Sequence, residues 1–208
     1  MKKISAPVFT NEPEKGRMKT ALHEYRTEAL LFSDETVNED LSDHEFFECI
    51  FRNVTFEERA SSCLFADCIF DHCDFSNCSF EETVFRRCEI KMCRMTGTDF
   101  SYARFQDTAM EGCEASYANF SCSKWKIASV KDMSFREAGF MSCTFDDTKI
   151  ERCRFTHADF NDTKLKGLDF SDSDISMITL DAEKLKGVTM NSEQALACVR
   201  LLGINIKE

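Results

Sequence analysis

A chain of 208 residues is long enough for one domain with a sizeable core and leaves little room for a second. Its net charge of −11 argues against direct binding of nucleic acid or of an anionic membrane, because either needs a basic patch. It has no apolar run long enough for a signal peptide or a membrane span, so a cytoplasmic protein with reduced thiols is expected.

Residues 1–43 show no repeat and are expected to form an N-terminal cap and linker. Apolar residues recur at helical spacing between positions 18 and 29, which predicts a short amphipathic helix. Such a helix would cover an open end of the domain that follows. The acidic stretch SDETVNEDLSD, residues 33–43, is expected to be a solvated linker. The apolar positions are Met18, Ala21, Leu22, Tyr25 and Ala29.

Residues 44–182 repeat every five positions. Every fifth residue from Phe65 to Leu180 is apolar, and 14 of these 24 centres are Phe. Two residues before the centre, from Cys63 to Thr163, the residue is small in 20 of 21 cases, with Met133 the exception. A period of five fits neither a helix nor a flat strand. It predicts a coil in which each pentad forms one side, with the centre and the small residue pointing inward.

The register of this repeat slips once. Phe56 and Phe65 are nine residues apart, one short of two pentads. The missing residue predicts a bulge or a small loop over residues 57–62, and irregularities in a regular scaffold are frequent interaction sites. The alternative is an irregularity that the coil tolerates. The candidate contact residues are Glu57, Glu58 and Arg59.

Residues 183–208 are predicted to end the coil with a helix and an apolar tail. Asn191 and Gln194 make a capping pair at the start of the helix, and Gly203 suits its C-terminal cap. The apolar stripe of the helix can close the bottom of its own coil, or meet its twin across a two-fold axis, or both. The stripe consists of Ala195, Leu196, Val199 and Leu202, and Ile204 and Ile206 continue it; Leu196, Val199, Leu202 and Ile204 are the candidate dimer interface.

The pentads ADCIF, SNCSF and THADF resemble the consensus of the pentapeptide-repeat family. The resemblance implies an all-β solenoid, a right-handed quadrilateral β-helix with four pentads per turn of 20 residues, followed here by the C-terminal α-helix. About seven coils would make a rod on the order of 33 Å tall. The resemblance extends back to earlier centres at Phe46, Phe51 and Phe56.

Ten of the twelve cysteines occupy the small inward position, where a free thiol packs as a small buried hydrophobe. Zinc would need four ligands that converge on one point, whereas successive pentads point inward from different sides. With four pentads per turn, Cys73, Cys93 and Cys113 would stack on one side, and we expect them to be reduced. The ten are Cys49, Cys63, Cys68, Cys73, Cys78, Cys88, Cys93, Cys113, Cys143 and Cys153.

Three segments resemble the quinolone-resistance, Qnr-type, branch of that family: 88–105, 114–120 and 185–206, the last with the ending GV…QA…LGI. That branch implies an acidic rod, dimeric through its C-terminal ends, that mimics DNA. Such rods bind DNA gyrase and topoisomerase IV and relieve poisoning by fluoroquinolones. Several members carry two projecting loops; here the slip at 57–62 is shorter than the first, and the repeat runs in register through the second. The resemblance implies no catalytic residue and no cofactor.

Charge is sorted by side when four pentads make a turn. The side centred on Phe80, Phe100 and Phe120 carries six carboxylates and no Lys or Arg, whereas the side centred on Phe65, Phe85 and Phe105 carries seven basic residues against four Asp. An acidic strip is what a basic DNA-binding saddle would accept, although DNA itself is far more densely charged. The alternative is a solvated face that keeps the solenoid soluble. The carboxylates are Glu81, Glu82, Asp99, Asp159, Asp162 and Asp181; the basic residues are Arg86, Arg87, Arg104, Lys124, Lys126, Lys164 and Lys166.

Two other classes of function stay open beside topoisomerase protection. One is an interaction or immunity module with another partner, such as protection against a toxin that targets gyrase. The other is an enzyme or a metal protein, which the sequence disfavours because its histidines are dispersed and no phosphate-binding glycine loop or nucleophile motif occurs. The histidines are His23, His44, His72 and His157.

Overall fold

The computed structural model describes residues 2–23 and 25–201, with the side chains of residues up to 199. The chain winds into a β-helix whose strands pair in parallel with strands of the neighbouring coils. The strands are β1 (Glu14–Lys15), β2 (Arg26–Glu28), β3 (Leu30–Ser33), β4 (Thr36–Val37), β5 (Glu45–Phe47), β6 (Ile50–Arg52), β7 (Thr55–Phe56), β8 (Leu64–Ala66), β9 (Ile69–Asp71), β10 (Val84–Arg86), β11 (Glu89–Lys91), β12 (Arg104–Glu111), β13 (Lys124–Lys131), β14 (Thr144–Asp146) and β15 (Lys149–Glu151). The helices are α1 (Met18–Ala21), a short 3-10 helix (Ala182–Leu185) and α2 (Ser192–Leu201).

Each coil from residue 64 onward has 20 residues and four sides, as predicted. The Cα partners on every side are 20 residues apart, as in the pairs Phe65 with Phe85 and Ser79 with Asp99. We number the sides by their centres: side 1 holds Phe65, Phe85, Phe105 and Trp125; side 2 holds Phe70, Ile90, Met110 and Val130; side 3 holds Phe75, Met95, Ala115 and Phe135; side 4 holds Phe80, Phe100, Phe120 and Phe140.

Aromatic columns fill the interior. On side 4 the rings of Phe100 and Phe120 are 5.1 Å apart at an interplanar angle of 8°, and those of Phe120 and Phe140 are 5.0 Å apart at 7°. Phe80 stacks above Phe100 at 5.6 Å. Burial of such rings is the main stabilising term, at roughly 25 cal/mol per Å² of apolar surface. The predicted inward centres are therefore confirmed, and among those from Phe65 to Leu180 only Phe145 and Leu180 are half-buried.

The small inward positions are confirmed as well, because all ten repeat cysteines are buried. Cys73, Cys93 and Cys113 form the predicted column, in which the N–H of each of the first two donates to the sulfur of the next at 3.3 Å. Met133 continues the column, and its sulfur accepts the N–H of Cys113 at 3.3 Å. Burial raises the pKa of the Cys63 thiol to about 12, so it is protonated at neutral pH and a poor nucleophile.

The coil turns its corners with left-handed backbone. From Phe65 onward the residue two after nearly every centre has a positive φ, which most side chains disfavour. Aspartate and asparagine, which tolerate this region, occupy several corners, such as Asp67 and Asn77. Ile127 is the β-branched exception, at φ 55°. At Gly112, φ 67°, glycine adopts this backbone without strain, and a Cβ there would lie 2.5 Å from the sulfur of the exposed Met92 side chain, which would have to shift.

The coil begins before residue 44, which differs from the expected boundary. Strand β2 pairs with β5, β3 with β6 and β4 with β7, so residues 26–43 form a first turn of the same β-helix. Val37 and Leu41 are 1% exposed and belong to the core. The interpretation of residues 33–43 as a solvated linker is therefore wrong.

The register slip forms neither a bulge nor a loop. Ala60 is buried as a side-4 centre, only four residues after Phe56, and its N–H donates to Ser79 O at 2.8 Å. The first turn has the same feature, because Leu41 follows Val37 by four residues and donates to Arg59 O at 2.9 Å. We call residues 38–41 and 57–60 the four-residue sides. The expected bulge or loop at residues 57–62 is wrong, because this side is one residue shorter than a pentad and the stack of coils continues across it.

Both ends of the coil are covered. Helix α1 buries Met18 and packs Ala21 and Leu22 against the core, as expected of a cap, but it ends at Ala21. Tyr25 is 65% exposed and Ala29 forms a corner, so neither extends its apolar face. At the other end, pairing continues past residue 182 to a bridge at residue 189. Within the described part of the chain no helix is both long and apolar enough to cross a membrane.

Helix α2 starts with the predicted capping pair. The Gln194 N–H donates to Asn191 Oδ1 at 3.0 Å, and the Asn191 N–H donates to Gln194 Oε1 at 2.8 Å. Gln194 also donates to the backbone oxygens of Phe170 and Ser173, at 2.9 and 2.7 Å. Gln194 and Cys198 therefore face the coil, whereas the predicted stripe residue Leu196 is 49% exposed.

Candidate partner-binding surface

The upper part of side 4 is strongly acidic. Glu57 and Glu58 are exposed on the second four-residue side, and Glu81 and Glu82 are exposed one coil below. Asp99 follows in the next coil, half-buried, where its Oδ1 accepts the Ser101 N–H at 2.9 Å. The sequence-predicted residues from Glu57 to Asp99 are thus brought together on one surface. Arg59, also exposed, is its one basic residue between positions 57 and 101.

The first turn adds carboxylates that the sequence analysis missed. Glu39, Asp40 and Asp43 lie on the upper four-residue side and the corner after it, directly above residues 57–62. Hydrogen bonds from Ser42 to the Asp40 carboxylate hold the pKa of Asp40 below its usual value, so this charge persists at mildly acid pH. The 5-5-4-5 spacing of Thr27, Phe32, Val37, Leu41 and Phe46, which repeats in the next turn, is the signal that could have revealed them.

The middle of side 4 is partly apolar and carries no charge on its face, but Arg136 and Glu137 lie at the Tyr117 corner, where each is 3.2 Å from the tyrosine hydroxyl. Its outward positions are Asn119, Ser121, Cys122, Gly139, Met141 and Ser142. Met141 is 46% exposed, and two tyrosines at the flanking corners, Tyr102 and Tyr117, are 55% and 52% exposed. Exposed rings with a polar tip are frequent anchors of protein interfaces. These residues are not distinguished in the sequence, because the repeat pattern marks their positions only as outward-facing.

The lower part of side 4 is acidic again but partly neutralised. Asp159 and Asp162 lie in one coil and Asp181 in the next, and the Asp162 N–H donates to Asp181 Oδ2 at 3.0 Å. Lys184, from the 3-10 helix, places its Nζ 3.1 Å from Asp162 Oδ1. This contact holds the pKa of Asp162 below its usual value. The expectation of a strip without Lys or Arg is therefore wrong at its lower end, since the 3-10 helix folds a lysine onto it.

Side 1 has the opposite character. Arg104 pairs in register with Lys124 along the strands β12 and β13, and Lys164 continues the same row below Thr144. Arg87 at the corner is neutralised by Asp67, whose Oδ1 accepts its Nε–H at 2.7 Å. The row of side 1 from Arg104 to Lys164 is therefore basic, whereas Asp107 and Asp147 occupy its corner with side 2.

Two of the four candidate dimer residues, Leu196 and Val199, lie at the bottom of the rod. Leu196 is exposed and Val199 is half-buried on α2. Leu202 and Ile204, as well as Gly203 and Ile206, lie outside the described residues. Because Gln194 anchors the other face of α2 to the last coil, the exposed face is directed away from the coil.

Two family models match the chain, a pentapeptide repeat region over residues 63–140 and pentapeptide repeats, in eight copies, over residues 138–176. A search of curated proteins gives no match. Among solved structures, HetL, a pentapeptide repeat protein involved in heterocyst differentiation regulation in the cyanobacterium Nostoc, is 15% identical, with 80% of this chain and 90% of that chain covered and a TM-score of 0.49. Full-length QnrB1, a plasmid-mediated fluoroquinolone resistance protein, is 18% identical, with 86% and 100% covered and a TM-score of 0.44. The matched family models together span residues 63–176, more than half of the 208 residues, and the chain therefore belongs to the pentapeptide-repeat family.

Proposed function

We propose that this chain is a non-enzymatic binding protein that docks through side 4 on a type II topoisomerase, DNA gyrase or topoisomerase IV, and protects it from fluoroquinolones. The proposal is supported by the three Qnr-like segments of the sequence, 88–105, 114–120 and 185–206. The structural observation that carries it is the sorting of charge, with an acidic side 4 next to a basic side 1.

The layout of side 4 suits a basic protein surface that normally holds DNA. Carboxylates above and below would steer the encounter and set its orientation, which are the main contributions of complementary charge. The uncharged middle, with Tyr102, Tyr117 and Met141, would be the part that loses its water, where burial contributes most to affinity. A protein that offers carboxylates in place of phosphates mimics DNA only in part, since DNA carries about one charge per 1.7 Å.

The first test is a gyrase supercoiling assay in the presence of ciprofloxacin. We expect added protein to restore supercoiling in a dose-dependent manner. Rescue that fails at every dose would reject topoisomerase protection and favour an interaction or immunity module with another partner.

The second test asks whether side 4 is the docking surface. The variant E81Q/E82Q/D99N/D159N removes four charges but keeps the amide oxygens that accept local hydrogen bonds, such as the one from Ser101 to Asp99. We expect its affinity for gyrase to fall about tenfold and to lose much of its salt dependence, because each exposed charge contributes up to about 1 kcal/mol.

The matched control for that variant is E28Q/E193Q/D34N/D146N, which changes the net charge equally at exposed positions outside side 4. It should bind gyrase like the unmodified protein. An equal loss in both variants would show that net charge matters and side 4 does not, and unchanged binding in the first variant would remove side 4 from the proposal.

A further inference from the structure

The N-terminal residues 2–10 run along one corner of the β-helix, and we call them the arm. The corner is the one between sides 1 and 2, formed by the residues two after each side-1 centre. Four backbone N–H groups of the arm donate to carboxylates of this corner. They are Lys2 to Asp147 Oδ2 (2.6 Å), Ser5 to Asp107 Oδ1 (3.4 Å), Val8 to Asp67 Oδ1 (3.1 Å) and Thr10 to Glu48 Oε2 (2.6 Å), with the Thr10 hydroxyl also on Glu48 (2.8 Å).

The spacing of the contacts matches the spacing of the coils. Along the arm, Ser5 is three positions after Lys2, and Val8 is three positions after Ser5. Their acceptors Asp147, Asp107 and Asp67 are each two coils apart along the corner. Three extended residues cover about 10 Å, and two coils cover about 9.6 Å. An extended peptide parallel to the rod axis therefore meets a carboxylate at every second coil. This match of periods is a property of the corner and of any extended chain.

The corner is a built surface at Asp67, whose carboxylate is held in place. The Asp67 side chain is only 9% exposed, with Arg87 on one side and the arm on the other. Ile127 occupies the coil between Asp107 and Asp147, where its left-handed backbone is strained. On the arm, Ile4, Pro7 and Phe9 are half-buried, whereas the residues between them are exposed. The arm is thus held by backbone amides and by alternate apolar side chains, a mode of recognition that tolerates many sequences.

We propose that this corner is a binding site for an extended, basic segment of a partner polypeptide, and that the arm is its intramolecular competitor. The arm itself carries Lys2 and Lys3 and no Asp or Glu. Its contacts with Glu48, Asp107 and Asp147 are exposed to solvent, so each contributes little and the arm can exchange. The tether gives the arm a local concentration in the millimolar range, which a partner must overcome. This site does not involve side 4 and does not depend on topoisomerase binding.

The experiment uses the full chain with S5P/V8P, in which proline removes two of the amide donors of the arm and leaves the corner intact. The probe is the fluorescently labelled peptide MKKISAPVFTNE, whose binding is measured by anisotropy. We expect S5P/V8P to bind the probe at least tenfold more tightly than the unmodified protein. The control A6P adds the same ring at a residue outside the four contacts, and it should bind the probe as weakly as the unmodified protein. Similar circular dichroism spectra establish that the variants are folded.

Three further variants identify the site. D107A/D147A in the S5P/V8P background removes two of the acceptors and should weaken probe binding, whereas E81Q/E82Q in that background should retain it. A probe N-methylated at Ser5 and Val8 should bind at least tenfold more weakly than the parent probe, and a probe with both lysines replaced by glutamine should also bind more weakly. Equal binding of the probe to S5P/V8P and the unmodified protein, or unchanged binding by D107A/D147A, would overturn the proposal and leave the arm as a structural strap. Equal binding of the glutamine probe would overturn the preference for a basic segment.

Discussion

At the scale of single residues, the corners are where this fold departs furthest from what an L-amino acid prefers. Met177 has φ 59° and is 74% exposed, so its side chain gains little from packing while its backbone is strained. Asparagine tolerates the left-handed region better, and Asn77 occupies the same corner five coils above. Met177→Asn should therefore raise the free energy of unfolding by about 0.5–1 kcal/mol, measured by chemical denaturation. Met141→Asn, at an exposed position without positive φ, should give no such gain; an equal gain there would mean that strain is not the cause.

His44 is the one histidine of the described chain that lies at a small inward position. It is 7% exposed, and its Nε2 lies 2.8 Å from the hydroxyl of Thr27. Burial lowers the pKa of His44 below 6.5, and this effect outweighs the nearby charge of Glu45, which raises the pKa. The folded chain therefore binds the proton less well than the unfolded chain does. The free energy of unfolding should therefore fall as the pH decreases below about 6.5.

Between pH 7.5 and 5.5 the variant His44→Gln should show a flatter dependence of stability on pH than the unmodified protein, because it lacks this proton uptake. His157→Asn, at an exposed corner, is the control and should leave the slope unchanged. A slope that His44→Gln does not alter would assign the proton uptake to other groups.

At the scale of elements, the sequence predicted the pentad sides well and the four-residue sides poorly. A period of five is visible because burial demands a large residue at every centre, and the columns from Phe65 to Phe160 follow directly from it. The first turn was missed because its centres, Thr27, Phe32, Val37 and Leu41, are chemically mixed and include one shorter step. What distinguishes a shorter side from a loop is whether the backbone hydrogen bonds continue across it, and that depends on the coils above and below.

The stacking of sides of unequal length can be tested by insertion. On side 4, from residue 38 downward, the described part of the chain has one junction between sides of unequal length, where the four-residue side ending at Ala60 lies on the five-residue side ending at Phe80. Inserting Asn after Glu58 moves this junction up by one coil, and there is still one. Inserting Asn after Glu39 instead adds a second mismatched junction, between the sides that end at Leu41 and Ala60.

The insertion after Glu39 should therefore lower the free energy of unfolding more than the insertion after Glu58 does. We expect a difference of roughly 1–3 kcal/mol, the range for a buried hydrogen bond left unmade. The insertion after Glu58 should cost less, and thermal unfolding of the two variants gives the comparison. The opposite order, or an equal loss of stability in both variants, would show that a difference in length between stacked sides does not destabilise the coil.

At the scale of the whole molecule, the proposed binding depends on the charge of a whole surface rather than on single side chains. The sorting of charge between sides 1 and 4 could be predicted from the sequence, because position in the repeat fixes the side. Three features could not be predicted from a count of outward charges. Lys184 reaches Asp162 from a 3-10 helix outside the repeat, the first turn enlarges the acidic surface, and the arm meets carboxylates that are far apart in sequence.

The exposed face of helix α2, at the lower end of the rod, predicts how two copies of the chain would assemble. Gln194 and Cys198 face the last coil, and Leu196 follows Gln194 by about 200° around the helix, so it points away from the coil. An exposed leucine beside Val199 on a helix that ends the rod is suited to an isologous contact with a second copy. Leu196→Glu or Val199→Glu should therefore give monomers, because charge at the centre of a two-fold interface is repeated on both partners. Sedimentation velocity measures the outcome, and Ala197→Glu, an equally charged change at an exposed neighbour, should leave the dimer intact. A dimer that survives Leu196→Glu would place the contact between copies on another surface.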